Sequence, residues 1–168
     1  MSLVPVLIGP GDTPIELGQA VREQKGLCYT IYSFSSAHRD TGYFGIYTAL
    51  GRPTEMQALE LIGQEVRAFA QEGPTEEEVR RSVEQLKSSA LMSLESMNSR
   101  MNANARGEFL YGHPLSAEDI IRGYDAVTRD GVHQLAQELF KLPNASFSAV
   151  GKVSSREEYQ AVIRAALC

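Results

Sequence analysis

This 168-residue chain lacks the ligand spacing of a metal site. Its three histidines are His38, His113 and His133, and none lies within four residues of another. Two imidazoles on one helix reach a common metal only when about one turn separates them. A complete metal centre is therefore not expected in this chain. Cysteine is scarce too, with only Cys28 and the terminal Cys168. Two such distant thiols make no disulfide framework, and a reducing compartment is the simpler reading. No apolar run approaches the ~20 residues that a membrane span needs. The short apolar stretch from Leu3 to Ile8 has no basic region before it, so no signal peptide is read and a cytoplasmic location is expected. Basic stripes are absent as well. The net charge of -5 and pI of about 5.3 argue for solubility and against nucleic acid as a partner. The turn Gly9-Pro10-Gly11-Asp12 lacks the Lys-Ser/Thr of a phosphate loop.

What is present is the composition of one globular domain over residues 1–168, 43% hydrophobic and 22% charged. A chain this long can bury roughly 70% of its unfolded surface without covalent staples. Residues 4–8 read as a short edge strand, since Pro5 cannot serve a central one. Thr13, Pro14 and Glu16 open a helix that runs to about Lys25 and stops at Gly26. Cys28–Phe34 and Tyr43–Leu50 are rich in β-branched and aromatic residues and read as antiparallel strands. In the second, Phe44, Ile46, Thr48 and Leu50 share one face, and Tyr43, Gly45 and Tyr47 the other.

Five helical stretches and one strand follow. Thr54 and Gln57 form a capping box before the stripe Met56, Leu59, Ile62, Val66, Phe69. Thr75 and Glu78 form another, opening a stripe from Val79 to Met101 that reads as the longest helix. The acids Glu76 to Glu78 suit the positive end of that helix. Met92, Met97 and Met101 read as core or domain-interface filler. Ser116–Tyr124 is a short helix, and Thr128 starts another with Val132, Leu135 and Leu139 buried. Ser146–Val150 reads as a strand, and Ser154, Ser155, Glu157 and Glu158 cap a last helix. Grouped rather than alternating elements point to an α+β fold, a mainly antiparallel sheet packed on one face by long helices.

The most informative local feature is Arg22 and Tyr29, seven positions apart in VREQKGLCY. One ends a helix and the other begins a strand, with the Gly26 turn between them. Such a pair can grip a peptide carbonyl or a developing oxyanion. Equally, Arg22 can simply face its own helix dipole, and Tyr29 can be an ordinary strand aromatic. Cys28 has no histidine partner within sequence reach, which argues against a thiol nucleophile. His38 reads as a solvated loop residue, His113 as a turn residue and His133 as a helix-surface one.

The stretch VREQKGLCYTIYSF, followed by DTGYFGIYTAL, resembles the C-terminal-type domain of the M16 metallopeptidases, the family of insulinase, pitrilysin and mitochondrial processing peptidase. The family pattern is a helix ending in Arg-Glu-x-x-Gly-Leu-x-Tyr-x-Val, which Arg22, Glu23, Gly26, Leu27 and Tyr29 match. The helical stretches GPTEEEVRRSVEQLKSSALMSLESMNSRM and LYGHPLSAEDIIRGYDAVTRDGVHQLAQELF resemble the family too, as does FSAVGKV, like its last strand. Coverage runs from about residue 14 to 165. Two departures stand out. Family domains begin with a further strand and helix before the Arg helix, so residues 1–13 are atypical and residues 1–3 read as partly expression-derived. That implies truncation and an unpaired sheet edge open to self-association as a homo-oligomer. The family's zinc motif, His-x-x-Glu-His with a later Glu, is missing.

The resemblance implies the substrate-binding half of a zinc-dependent endopeptidase that cleaves peptides in a chamber formed with a separate zinc-bearing domain or subunit. Zinc, expected in that partner half, polarises the scissile carbonyl and activates water. Arg22 and Tyr29 would then be the transition-state-stabilising residues in this chain, which holds no metal ligands and is inactive alone. The alternative is a non-catalytic scaffold or assembly domain of the same fold.

Overall fold

The computed structural model describes residues 26–38 and 40–167. The predicted strand at 4–8, the turn at 9–12 and the helix from Thr13 to Lys25, which carries Arg22, lie outside the described residues, as does Cys168.

Two strands come first. β1 (Thr30–Ala37) pairs antiparallel with β2 (Gly42–Ala49), in a register that sets Tyr32 against Tyr47 and Phe34 against Gly45. Each begins one or two residues away from the sequence-based expectation, but the facial pattern is as expected. Ile31, Phe44, Ile46 and Leu50 pack towards the helices. The other face carries aromatic rings: Tyr32 stacks on Tyr47 at 5.0 Å, and Phe34 meets Tyr43 edge-on at 5.9 Å. Gly45 makes room for this, because a Cβ there would lie 2.5 Å from the Phe34 ring.

Six helices follow among the described residues: α1 (Glu55–Glu72), α2 (Glu76–Ser93), α3 (Met97–Tyr111), α4 (Ala117–Asp125), α5 (Arg129–Leu139) and α6 (Arg156–Leu167). This is the expected α+β arrangement, a small antiparallel sheet with helices against one face. Helix α1 is its axis. Of the predicted stripe, Ile62, Val66 and Phe69 are buried, together with Ala58 and Gly63, while Met56 and Leu59 are half-buried. Its neighbours are α5 and α6, while α4 packs on α2. Phe140, at the end of α5, joins sheet to helix by edge-on contacts with Phe44 at 5.1 Å and Phe69 at 6.4 Å. Burying a side chain as fully as Phe69 is worth about 1.5–3 kcal/mol relative to exposure.

Both ends of α1 are fastened by other elements. At its start, Glu55 accepts hydrogen bonds from Tyr159 Oη (3.1 Å) and Ser154 Oγ, tying in α6. At its end, carbonyls without helical partners need donors. Arg129 supplies them, with Nη2 on Glu72 O (2.9 Å) and Nε on Pro74 O (3.0 Å), and His133 Nε2 donates to Ala70 O (3.1 Å). His133 is therefore a packing joint rather than a free surface residue. Its ring lies 2.7 Å from where a side chain on Gly73 would start, and Gly73 holds φ +73, so glycine is required there twice over.

Three expectations are corrected. The helix predicted from Val79 through Met101 is two helices. Ser96 breaks it by capping α3, its side chain accepting from Ser99 N (3.4 Å), a competing local bond that ends α2 at Ser93. Ser146–Val150 is not a strand. β1 and β2 pair with each other, no described strand lies beside this segment, and Val150 is left 98% exposed. Thr54 does not cap α1; Arg52–Thr54 is a 3-10 turn and the Thr54 hydroxyl points elsewhere. The other boxes form as expected. Thr75 and Glu78 exchange side chain and backbone bonds at 2.6 and 3.2 Å, as do Ser155 and Glu158 at 2.9 and 3.3 Å. A further box of the same kind joins Ser116 to Asp119.

Two measurements check this account. Gly63 faces Ala166 of α6 with no room for a Cβ. Gly63→Leu should therefore push α6 off α1 and cost about 1–3 kcal/mol in urea unfolding despite leucine's better helix propensity; a gain in stability would refute the close packing. The Asp119 carboxyl is held below its usual range by hydrogen bonds from Ser116, and that of Glu158 by those from Ser155. Because these groups ionise more readily folded than unfolded, their contribution is present above about pH 4 and is lost as pH falls through their folded values. Ser116→Ala should return the Asp119 titration, followed by NMR, towards the ordinary carboxylate range.

Candidate functional site

The Gly26–Tyr29 corner is built from groups that pull in opposite directions. Gly26 takes φ +60, a left-handed turn with open space around it. Leu27 and Cys28 then bury their side chains in the main core. Their burial fixes the backbone where Tyr29 emerges. Two hydrogen bonds hold it further: Thr54 Oγ1 donates to Leu27 O at 2.8 Å, and Tyr29 N donates to Ala49 O at 2.8 Å. The first ties the corner to the front of α1, the second to the end of β2.

From that anchored backbone the Tyr29 side chain projects outwards, 86% exposed. An exposed phenol on a fixed backbone is a hydrogen-bond donor ready for something outside this domain. Arg22 lies outside the described residues, so the structure does not place the second member of the predicted pair. Cys28 is a buried free thiol and offers no accessible nucleophile.

The remaining candidates fall away from the corner. His38 is exposed in the β1–β2 turn, where its N–H donates to Thr41 O (2.8 Å) and its Nε2 lies 3.2 Å from Ser36 Oγ. His113 bonds Pro114 O through Nδ1 at 3.0 Å, in the turn after α3. Among the described residues, no three His, Cys, Asp or Glu side chains converge as a metal site. No described helix is long and apolar enough to cross a membrane. The sequence reading missed Thr54 as a corner clamp and Arg129 as the cap on α1. No local signal separates a Thr that caps its own helix from one that grips a carbonyl 27 positions earlier.

Residues 10–86 match the family described as the Peptidase M16 inactive domain. The uncharacterized zinc protease YmxG of Bacillus subtilis is 38% identical over 130 residues, 77% of this chain and 32% of that protein. An uncharacterized zinc protease of Streptomyces coelicolor is 31% identical over 148 residues, 88% of this chain and 32% of that protein. The mitochondrial-processing peptidase subunit beta of Blastocladiella emersonii is 30% identical over 147 residues, 88% of this chain and 31% of that subunit. The chain thus spans about a third of the length of these relatives.

The corner geometry makes a stability prediction. Tyr29→Phe should change unfolding free energy by less than about 0.5 kcal/mol, because its ring is outside the core. Thr54→Val should cost about 1 kcal/mol by releasing Leu27 O. Urea titrations giving the reverse order would contradict the anchoring described.

Proposed function

This chain belongs to the M16 peptidase family as a C-terminal-type domain, and we propose that it is the substrate-binding half of a zinc-dependent endopeptidase. The observation that carries this reading is Tyr29: a phenol 86% exposed on a backbone fixed by Thr54, Ala49 and two buried neighbours. An exposed polar donor on an anchored backbone suits a reacting group that another domain presents. In this reading the zinc belongs to that other half, since this sequence carries no His-x-x-Glu-His motif.

The phenolic O–H donates to the oxygen that becomes negative as the scissile carbonyl turns tetrahedral, or to the neighbouring peptide carbonyl. Arg22, seven positions earlier, supplies the guanidinium of the same motif. Arginine suits that task because its planar fork holds a carbonyl or oxyanion in fixed geometry and stays charged at any working pH. Preorganised donors of this kind act by being in place before charge develops. Removing one typically costs about 3–4 kcal/mol of barrier.

The test is a peptide-cleavage assay on this chain combined with its zinc-bearing half. Tyr29→Phe and Arg22→Ala should each lower kcat on the order of a hundredfold, with the circular dichroism spectrum unchanged. The chain alone should cleave nothing, and metal analysis showing tight one-to-one zinc in it would overturn the assignment. The competing scaffold reading draws on the word "inactive" in the family description. Unchanged turnover in both variants would favour it.

A further inference from the structure

Helix α3 buries little of its surface. Across Met97–Tyr111 only Gly107 is buried, whereas α1 buries five residues. Gly107 meets the turn that follows α3, where a Cβ would lie 3.0 Å from His113 O. Ser99 and Leu110 are half-buried, and the other residues of the helix are exposed. Met97 is 81% exposed, Met101 61% and Phe109 81%, with Met92 and Leu91 of α2 exposed beside the break at Ser96. An open groove of about 630 Å³ runs along the same region, lined by Leu91, Leu94, Arg100, Asn104 and Leu115. The methionines are therefore not filler for this domain's own core.

A helix in this position is hard to explain as self-sufficient. Isolated helices of about 15 residues are marginal in water even when rich in alanine. This one holds Asn98, Asn102, Asn104, Ser99 and Gly107, all weaker helix formers than alanine. Helices in soluble domains usually owe their stability to an apolar face packed on something else. Methionine and phenylalanine are also the side chains enriched in the centres of protein interfaces, and methionine adapts readily to a facing surface.

We propose that α3, with the adjoining end of α2, is the surface on which this domain docks against the zinc-bearing half of the enzyme. This rests on the functional reading above, in which such a half exists. The occupant follows from length: the relatives are about three times as long as the stretch this chain covers and are named zinc proteases, so a large polypeptide surface remains to be placed. The partner face would be apolar and would receive Met97, Met101 and Phe109.

The experiment measures association between this chain and the zinc-bearing half by titration calorimetry, with Met101→Glu and Phe109→Glu. Each should raise Kd at least tenfold, while Tyr29→Phe should bind as the parent chain does and lose only turnover. Hydrogen exchange provides a second readout that needs no variant: amides of 97–111 should exchange markedly more slowly in the assembled enzyme than in the chain alone. Unchanged Kd in both glutamate variants, or no slowing at 97–111, overturns the proposal. So does loss of self-association in those variants with partner binding intact, which would assign the face to a second copy of this chain. If the unaltered halves do not associate at all, the functional reading falls, and the docking assignment with it.

Discussion

The hydrogen bond from the Thr54 hydroxyl to the Leu27 carbonyl is the constraint on which the site depends. It joins the front of α1, the most buried helix, to the residue where the chain turns into the sheet. Leu27 and Cys28 add the apolar side of the same anchor. With those three groups fixed, Tyr29 is the first residue free to leave the core, and its direction is inherited rather than chosen.

The helical layer has the same logic at a larger scale. Each end of α1 is held by a different later element. Glu55 receives Tyr159 and Ser154 from the α6 region, and the α1 carboxyl end receives Arg129 and His133 from α5. Gly63 and Gly73 permit the approaches, one by closeness and one by backbone sign. A second tie runs from Lys87 on α2 to Asp125 at the end of α4, with Glu84 also bonded to the same ammonium. The helices are thus tied by side-chain bonds to one another and to backbone carbonyls at the end of α1. Against that background the little-buried α3 is the exception, and exceptions to such consistency concentrate where a protein meets something else.

Some elements were readable residue by residue. The stripe from Ile62 to Phe69, the Thr75/Glu78 and Ser155/Glu158 boxes and the alternation in β2 depend on contacts within four residues, and local spacing encodes such contacts directly. The break at Ser96 was not readable, because the apolar stripe from Leu94 to Met97 runs straight through it. Nor was the fate of Ser146–Val150, whose composition favours a strand but whose pairing needs a neighbour far away in the chain.

By itself, then, the sequence determined the α+β class, the position of most helices, the family resemblance and the identity of Arg22 and Tyr29 as the residues to examine. These are properties of periodicity and motif, which survive in one dimension. Tertiary structure alone decided that Thr54 clamps the Leu27 corner instead of capping a helix, that His133 is a joint, that Cys28 is sealed and that Tyr29 is exposed. It also decided that the methionines of α3 face outwards. Each of these depends on which distant groups share a neighbourhood, and burial and hydrogen-bond partners exist only once the chain has folded.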